Sequence, residues 1–373
     1  MDKVLDAVII GAGQAGLSAA YHLQRRGLVP EQDYIVLDAN EGPGGAWRHR
    51  WPSLTFDAAH GLHDLPGFPL GVPDPAEPAS AVVSRYYGAY EQKFNLPVHR
   101  PERVESITNN DGGSGQLLRV TSASGREWLA RTVISGTGTW DRPYWPYYAG
   151  RETFRGRQLH THDFRSADEF RGKRVLVVGG GTSALQFLLQ LDAAGAQTVW
   201  STRREPDFIT EPFDASWGIE VERKVNERTR AGLPPVSVVG VTGLPLNETY
   251  KAGIDAGVLV SRGRLARITE DGVVFAGGSA EQVDAILWAT GFRPSLDHLT
   301  PLQLREPGGG IRMGPDAVSV VKEPRLFLVG YGSSASTVGA TRAGRAAAMA
   351  AVRQLKTAGV PDRGSRALAA VAG

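Results

Sequence analysis

The sequence contains no cysteine among its 373 residues. This absence excludes disulfides, thiolate metal sites, iron–sulfur clusters and a cysteine nucleophile. It also excludes the redox-active cysteine pair that a disulfide reductase of similar size would need. Whatever chemistry the chain performs therefore does not use thiols.

The sequence also lacks long apolar runs and a strong charge of either sign. No stretch approaches the roughly 18 apolar residues of a membrane-spanning helix, and 41 basic against 39 acidic side chains give a formal net charge of +2. This balance gives no reason to expect nucleic acid or a membrane as a partner. The short apolar run before the first glycines is predicted to be a buried strand and not a signal peptide. We therefore expect a cytoplasmic protein.

Two segments of the chain, residues 4–23 and 172–191, resemble each other. Each has a β-branched apolar run, then a glycine-rich turn, then apolar residues at a spacing of three to four. This order predicts a strand, a tight loop and a helix, which form the first half of a βαβ unit. Two such units predict an α/β fold with two Rossmann-like dinucleotide-binding domains.

The first glycine loop has the pattern Gly11-x-Gly13-x-x-Gly16, directly after the predicted strand Ala7–Ile10. The first glycine permits the turn, the second lets the backbone approach a pyrophosphate, and the third lets the helix pack on the strand. Asp38 ends the next predicted strand, where an acid accepts hydrogen bonds from ribose hydroxyls. The residues assigned to this dinucleotide site are Gly11, Gly13, Gln14, Ala15, Gly16 and Asp38.

The second glycine loop, Gly179-x-Gly181-x-x-Ala184, is followed by a strand that continues into Arg203-Arg204 with no acid. Guanidinium groups suit bidentate capture of a phosphate, so the pattern predicts NADPH with Arg203 or Arg204 on its 2′-phosphate. The alternative is a pair of solvated arginines at a strand end, which leaves dinucleotide binding in place. The residues assigned to this site are Gly179, Gly181, Thr182, Ser183, Ala184, Arg203 and Arg204.

The remaining chain shows weaker patterns. Residues 205–260 are rich in proline and glycine and are predicted to be irregular. Helices are predicted at Val82–Phe94 and Thr337–Leu355. Strands are predicted at Tyr34–Leu37, Val104–Ile107, Leu117–Thr121, Trp128–Ser135, Gln197–Thr202, Leu265–Ile268, Gly272–Phe275, Asp284–Trp288 and Arg325–Gly330.

Four further segments make the chain resemble the flavin-containing monooxygenases and their Baeyer–Villiger relatives, the class B flavoprotein monooxygenases. The first is a glycine–glycine–x–tryptophan element, the second an aromatic–proline segment, the third the signature FxGxxxHxxx(aromatic)(Lys/Arg), and the fourth an acid followed by Ala-Thr-Gly-aromatic. In this sequence they are Gly44–Trp47, Trp51–Asp57, Phe154–Arg165 and Asp284–Phe292.

The resemblance implies a glutathione-reductase-like architecture, in which an FAD domain carries an inserted NADPH domain. The FAD domain would comprise residues 1–150 and 290–373, and the NADPH domain residues 151–289. The first loop would then hold FAD. The resemblance adds residues next to the cofactors, namely Gly45, Ala46, Trp47, Thr137, Gly138, Ala289, Thr290 and Gly291.

The resemblance also implies the reaction. NADPH reduces FAD, and the reduced flavin reacts with O2 to give a flavin 4a-(hydro)peroxide, which oxygenates a small nitrogen- or sulfur-containing substrate. Two alternatives share every cofactor motif, namely Baeyer–Villiger oxygenation of small ketones and an NADPH oxidase or flavin reductase without oxygen transfer. Phe164-Arg165 is nearer the nitrogen- and sulfur-oxygenating branch, whereas Asp57 is what the Baeyer–Villiger branch carries.

Asp57 is the candidate catalytic residue, as a polar or proton-handling group near the flavin. The alternative is a loop aspartate that caps a following helical turn. His60 and His63 lie in the same loop, but two histidines without a third ligand do not indicate a metal site, so no metal is expected. Dimers are common in the family, which makes a homodimer an expectation as well.

Overall fold

The computed structural model describes residues 3–59, 62–110, 117–210, 215–236 and 243–359. The strands are β1 Val4–Ile10, β2 Tyr34–Leu37, β3 Val98–His99, β4 Val104–Asn109, β5 Leu118–Ser122, β6 Glu127–Ser135, β7 Arg157–His160, β8 Arg174–Val178, β9 Gln197–Ser201, β10 Phe208–Ile209, β11 Leu244–Pro245, β12 Leu265–Ile268, β13 Gly272–Phe275, β14 Ala280–Gln282, β15 Ala285–Trp288, β16 Ser319–Val320 and β17 Glu323–Leu328. The α-helices are α1 Gln14–Arg25, α2 Ala79–Lys93, α3 Thr182–Ala193, α4 Ala215–Arg230, α5 Glu248–Asp255 and α6 Thr337–Thr357.

The larger sheet has the order β16-β17-β6-β1-β2-β3, and the antiparallel strands β4 and β5 extend it from β6. The four strands from β17 to β2 are parallel, and their ends are in register. Ile10 at the end of β1 pairs with Leu37 of β2 and with Ser135 of β6, and Leu328 of β17 also pairs with Ser135. The loops that follow these strands therefore meet at one edge of the sheet, where doubly wound folds bind ligands.

Helices α1 and α6 pack together on one face of this sheet. A Cβ atom on Gly344 of α6 would lie 2.3 Å from the carbonyl oxygen of Ala15 in α1, so the two backbones touch where only glycine fits. Ser18 donates to the carbonyl oxygen of Thr341 at 2.8 Å across the same contact. This packing holds the start of α1 close to the sheet edge.

The smaller sheet has the order β7-β15-β8-β9, and all its strands are parallel. Its ends are aligned in the same way, because Val178 of β8 pairs with Ser201 of β9 and with Trp288 of β15. Trp288 in turn pairs with His160 of β7. Helix α3 packs on this sheet through buried residues such as Leu188, and a three-stranded antiparallel sheet, β12-β13-β14, covers its other face.

Most elements predicted from the sequence match the structure within two residues at each end. The prediction of an irregular segment over residues 205–260 is wrong, because it contains helices α4 and α5. Glycines and prolines suggested a loop, but those that the structure describes lie mainly between the two helices or beyond them. The short α5 begins where Asn247 caps the backbone N–H of Tyr250 at 2.8 Å, a local signal that outweighs the composition.

The two parallel sheets make this an α/β fold, as the sequence predicts. The chain leaves the larger sheet after β6 and returns to it at β16. The boundaries 1–150, 151–289 and 290–373 stay a proposal. No helix of the described residues is long and apolar enough to cross a bilayer.

Candidate functional site

The first glycine loop is built from close backbone contacts that only glycine permits. Gly11 has a φ of +94°, and a Cβ there would lie 2.5 Å from the carbonyl oxygen of Gly136. A Cβ on Gly16 would lie 1.9 Å from the carbonyl oxygen of Gly11. Gly13, in contrast, has no atom within 4 Å of its Cβ position. The second glycine therefore faces open space, as a backbone that approaches a ligand must.

A second segment approaches the same loop from the other side. Gly44 and Gly45 have φ values of +118° and +53°, and a Cβ on Gly45 would lie 2.9 Å from the Cα of Gly13. The 3-10 helix Gly45–His49 begins at this contact. It presents Ala46 to solvent and leaves Trp47 partly buried. The glycine–glycine–x–tryptophan element thus lies directly on the first glycine loop.

Asp38 is buried at the end of β2 and already has partners. Its carboxylate accepts from Arg100 Nε at 2.7 Å and from the side-chain amide of Asn40 at 3.2 Å. Arg100 also forms two bonds of 2.7 Å with the carboxylate of Glu91. One guanidinium therefore balances two carboxylates, which offsets the cost of burying Asp38 and fixes the direction of its oxygens.

Gln14 and Ala15 occupy the first turn of α1. The side chain of Gln14 donates to the hydroxyl of Thr341 in α6 at 2.9 Å, and Ala15 is buried against the same helix. The cap position of α1 is Gly13, which has no side chain to accept a hydrogen bond from the first backbone N–H groups of the helix. The helix dipole favours an anion there.

The second glycine loop meets the segment that follows β15. Gly179 has a φ of +149°, and a Cβ there would lie 2.1 Å from the carbonyl oxygen of Ala289. Gly181 has no atom within 4 Å of its Cβ position and caps α3 without a side-chain bond. Thr182 and Ser183 form the partly buried start of α3, whereas Ala184 is buried. The arrangement repeats that of the first loop.

Arg203 and Arg204 are exposed just beyond β9. The segment Ser261–Arg264 lies beside them, because Thr202 N donates to the carbonyl oxygen of Gly263 at 3.2 Å and Arg262 N donates to that of Trp200 at 2.8 Å. This contact adds Arg262 and Arg264, both exposed. None of the four arginines forms an ion pair with another described residue.

The phenol of Tyr148 lies next to this group. Burial raises its pKa, and the charges of Arg264 and Arg203 oppose that rise, so both guanidinium groups are near the same hydroxyl. Sequence reasoning missed Arg262 and Arg264. The pattern Arg-Gly-Arg was the available signal, but nothing in the sequence placed it beside β9.

The two chain crossings between the sheets run side by side. Thr137 donates to the carbonyl oxygen of Ser295 at 2.6 Å, and Ser295 N donates to that of Gly138 at 2.9 Å. Further along, Tyr144 N donates to the carbonyl oxygen of Gly291 at 2.9 Å, and Thr290 donates to that of Tyr144. The residues of these crossings that are assigned to the two cofactors therefore lie on two adjacent segments joined by hydrogen bonds.

Asp57 lies in an exposed turn between the two sheets. Its neighbour Ala58 accepts from the side chain of Gln186 in α3 at 3.1 Å, so the turn contacts the second sheet's helix. No hydrogen bond among the described residues involves the Asp57 carboxylate, and Thr55 rather than Asp57 bonds to the N–H of Ala58. The turn that Asp57 would cap continues into residues 60–61, which lie outside the described residues, so both roles of Asp57 stay predictions. His63 is exposed, and His60 lies outside the described residues.

The geometry fits two dinucleotides. Both loops pair an open second glycine with a helix start that lacks a side-chain cap, and both lie at the carboxyl edge of a parallel sheet. A buried donor adds to this, because Arg50 Nε has no hydrogen-bond partner among the described residues. Among the residues described, no group of three or more potential metal ligands occurs.

A family model described as pyridine nucleotide-disulphide oxidoreductase matches residues 8–233. The structure is similar to that of a flavin-containing monooxygenase from Stenotrophomonas maltophilia, with a TM-score of 0.78, 36% sequence identity, and coverage of 95% of this chain and 99% of that one. Indole-3-pyruvate monooxygenase YUCCA1 from Oryza sativa subsp. japonica is 29% identical over 361 residues, which is 87% of this chain and 86% of the relative.

A cyclohexanone monooxygenase structure matches with a TM-score of 0.58 at 19% identity, over 87% of this chain and 82% of that one. At this identity the likeness shows the fold alone. The matches together confirm the fold class and the resemblance drawn from the sequence, and they imply FAD and NADPH as cofactors. With no cysteine in the sequence, the word "disulphide" in the family description does not extend to a thiol pair in this chain.

Proposed function

We propose that this chain, which belongs to the pyridine nucleotide-disulphide oxidoreductase family and within it to the flavin monooxygenases, uses NADPH to oxygenate a small nitrogen- or sulfur-containing compound. One observation carries the proposal. The two glycine loops lie at the carboxyl edges of separate sheets and are joined by the paired crossings around Gly138 and Gly291. This arrangement brings a flavin and a nicotinamide towards each other.

In this proposal each loop binds its dinucleotide through the chain's own groups. The backbone at Gly13 and the free N–H groups of α1 bind the FAD diphosphate, and Asp38, held by Arg100, accepts from a ribose hydroxyl. Gly181 and the start of α3 bind the NADPH diphosphate in the same way. Trp47 packs on the cofactor. The bound flavin supplies the redox chemistry and the activation of oxygen.

Selectivity for NADPH over NADH rests on arginine. The 2′-phosphate is the group by which the two nucleotides differ, and four guanidinium groups follow β9 and the segment beside it. Arg203 and Arg204 come from the strand end, Arg262 and Arg264 from the neighbouring segment. Because none of them is paired within the described residues, their donors are available to phosphate oxygens.

Asp57 handles a proton at the oxygenation step. It is exposed in the turn between the two sheets, and its carboxylate is not engaged by a described neighbour. It can therefore accept a proton from substrate or water and return it without breaking a structural contact. The crossing segments, in which Trp140 is buried, exclude water from the space between the cofactors.

The choice of nitrogen or sulfur over ketone substrates rests on Phe164-Arg165, which is nearer the pattern of that branch. Phe164 is fully buried against Phe187, with ring centroids 4.5 Å apart, so its part is to pack the signature segment. Asp57 favours the second candidate, Baeyer–Villiger oxygenation of small ketones.

A substrate panel separates the candidates. Purified holoenzyme is incubated with NADPH and O2 in four parallel reactions, which contain an organic sulfide, a tertiary amine, a cyclic ketone or an aromatic 2-oxo acid. The 2-oxo acid is included because a relative is an indole-3-pyruvate monooxygenase. We expect sulfoxide or N-oxide as the main product. A lactone as the main product would replace the proposal with the second candidate, and peroxide alone would contradict both.

A further inference from the structure

A part-buried arginine lies where the cofactor-adjacent segments meet. Arg50 ends the 3-10 helix Gly45–His49, and its backbone N–H donates to the carbonyl oxygen of Trp47 at 3.0 Å. Its guanidinium carbon lies 4.7 Å from the ring centroid of Trp140 and 5.6 Å from that of Trp47. The guanidinium is therefore held close to two indole rings.

This guanidinium has no counter-ion in the described part of the chain. Its Nε atom is buried without a hydrogen-bond partner, and no ion pair joins Arg50 to any residue that the structure describes. Burial lowers its pKa to about 10, with no carboxylate acting in the opposite direction. A buried charge is costly unless it is paired, and contacts with two indoles offset only part of that cost.

Two other shielded arginines of this chain are paired with acids. Arg100 binds both Asp38 and Glu91, and Arg325 binds the carboxylate of Glu323 at 2.6 Å. Their guanidinium groups are balanced by acids within the fold. Arg50 is different because no residue that the structure describes supplies an anion to it, so an anion from outside the chain would complete its surroundings.

The position of Arg50 points to the source of that anion. Trp47 belongs to the 3-10 helix that begins on Gly13 of the first glycine loop. Trp140 stacks on Phe292, with centroids 5.0 Å apart, directly after the segment that contacts Gly179 of the second loop. The guanidinium thus lies between the segment that contacts the first glycine loop and the segment that follows the contact with the second.

We propose that Arg50 is an oxyanion subsite, which binds a diphosphate oxygen of one of the two dinucleotides. A guanidinium presents its N–H donors in a planar fork that matches two phosphate oxygens. The diphosphate supplies the missing negative charge, and the two indoles hold the fork in place before the ligand arrives. FAD and NADPH carry the same chemical group, so the experiment distinguishes them.

The experiment compares three variants with wild-type holoenzyme. Arg50→Met keeps an unbranched apolar stem and removes the charge, and Arg50→Lys keeps the charge without the fork. Arg48→Met is the control, because Arg48 lies in the same 3-10 helix and its guanidinium already donates to the carbonyl oxygen of Pro43 at 3.0 Å. Dissociation of FAD is followed by the fluorescence of released flavin. Binding of NADP⁺ is followed by the change in flavin absorbance.

We expect Arg50→Met to weaken the binding of one dinucleotide by roughly 10- to 100-fold, as for loss of a charged hydrogen bond, and the ligand affected identifies the source. Arg50→Lys should lose less affinity for that dinucleotide than Arg50→Met does, and the control should bind both ligands as wild type does. The dependence of the dissociation constant on NaCl should also become shallower in Arg50→Met, because one charge contact is gone.

A structural role for Arg50, as a cation that only holds the two tryptophans, gives a different result. Removing the charge would then leave the salt dependence unchanged. The proposal is overturned if Arg50→Met binds FAD and NADP⁺ within about twofold of wild type. It is also overturned if binding weakens equally in the Met and Lys variants with an unchanged salt dependence. Neither readout depends on oxygen transfer, so the result stands apart from that of the substrate panel.

Discussion

The side chain of His160 connects the signature segment to the second crossing, with its Nε2 3.0 Å from the carbonyl oxygen of Gly291. Its Nδ1 accepts from the backbone N–H of His162 at 3.1 Å. Because Nδ1 is an acceptor, the proton of the neutral ring is on Nε2, which donates to Gly291. Burial lowers the pKa of His160 to about 4, so the ring keeps this tautomer at neutral pH.

Replacing His160 by asparagine tests this connection. The asparagine oxygen can still accept from His162 N, but the bond to Gly291 is lost. We expect the dissociation constant of NADP⁺ to rise about five- to tenfold, the value of one hydrogen bond, while FAD is retained. His162→Asn, which alters the partly buried neighbour, should bind NADP⁺ normally, and equal effects of the two changes would contradict the prediction.

Stability should fall in acid because buried histidines are held neutral. Burial lowers the pKa of His298 from 6.5 to about 4, and its Nε2 lies 2.9 Å from the Ser135 hydroxyl. As the pH falls, His298 binds a proton in the unfolded chain before it does so in the folded protein. The contribution of His298 to the free energy of unfolding is therefore complete above pH 6.5 and is lost as the pH falls towards 4. The loss amounts to up to about 3 kcal/mol.

The corresponding experiment compares wild type with His298→Gln in denaturant titrations at pH 7, 5.5 and 4.5. Glutamine can keep a hydrogen bond to Ser135 but does not titrate. The free energy of unfolding should therefore fall less steeply in the variant. A wild-type and a variant curve of equal slope would show that His298 does not contribute to the acid sensitivity.

Gly179 should tolerate no side chain. Its φ of +149° and the 2.1 Å approach to the carbonyl oxygen of Ala289 mean that Gly179→Ala must move a backbone. We expect a loss of about 2–4 kcal/mol in the free energy of unfolding together with loss of NADP⁺ binding. Gly180→Ala is the matched control, since its Cβ would lie 3.9 Å from Thr202 Cγ2. Similar stability of both variants would contradict this prediction.

Arg262 and Arg264 should contribute to NADPH preference although they lie far from the glycine loop in sequence. Replacing both with glutamine should raise the KM for NADPH by about tenfold or more and leave that for NADH nearly unchanged. Arg267→Gln, an exposed arginine on β12, serves as the control. If the KM values for NADH and NADPH rise equally, these arginines do not bind the 2′-phosphate.

Asp57 should affect turnover but not folding. Its exposed carboxylate has no described partner, so Asp57→Asn should change the free energy of unfolding by less than about 0.5 kcal/mol. We expect the rate of product formation to fall several-fold with the KM for NADPH unchanged. An unchanged rate would mean that Asp57 is only a residue of the turn.

The parallel strands and both glycine loops were predictable because their signals are local. An apolar run, a glycine turn and a periodic helix lie within some 20 residues, and β2 begins and ends at the residues predicted. Helices α4 and α5 were not predicted, because the prolines and glycines around them suggested a single loop. The helix limits depend on a cap at Asn247 and on packing that composition does not show.

Site residues were predictable where they belong to one local motif. They were not predictable where two segments distant in sequence form the site together. Gly13, Asp38 and Gly179 follow from spacing alone. Arg262 reaches the strand end through a backbone contact with Trp200. Arg50 is singled out because the fold buries it with no acid beside it among the residues described. Such features depend on tertiary contacts, which no local pattern of the sequence encodes.

The most direct test of the central claim is the fate of molecular oxygen. Purified holoenzyme is given NADPH, ¹⁸O2 and the best substrate of the panel, and the product, hydrogen peroxide and consumed NADPH are quantified together. Oxygenation by this chain predicts one ¹⁸O atom in each product molecule, with product formed in proportion to the NADPH consumed. Consumption of NADPH that yields hydrogen peroxide in equal amount and no labelled product would contradict it.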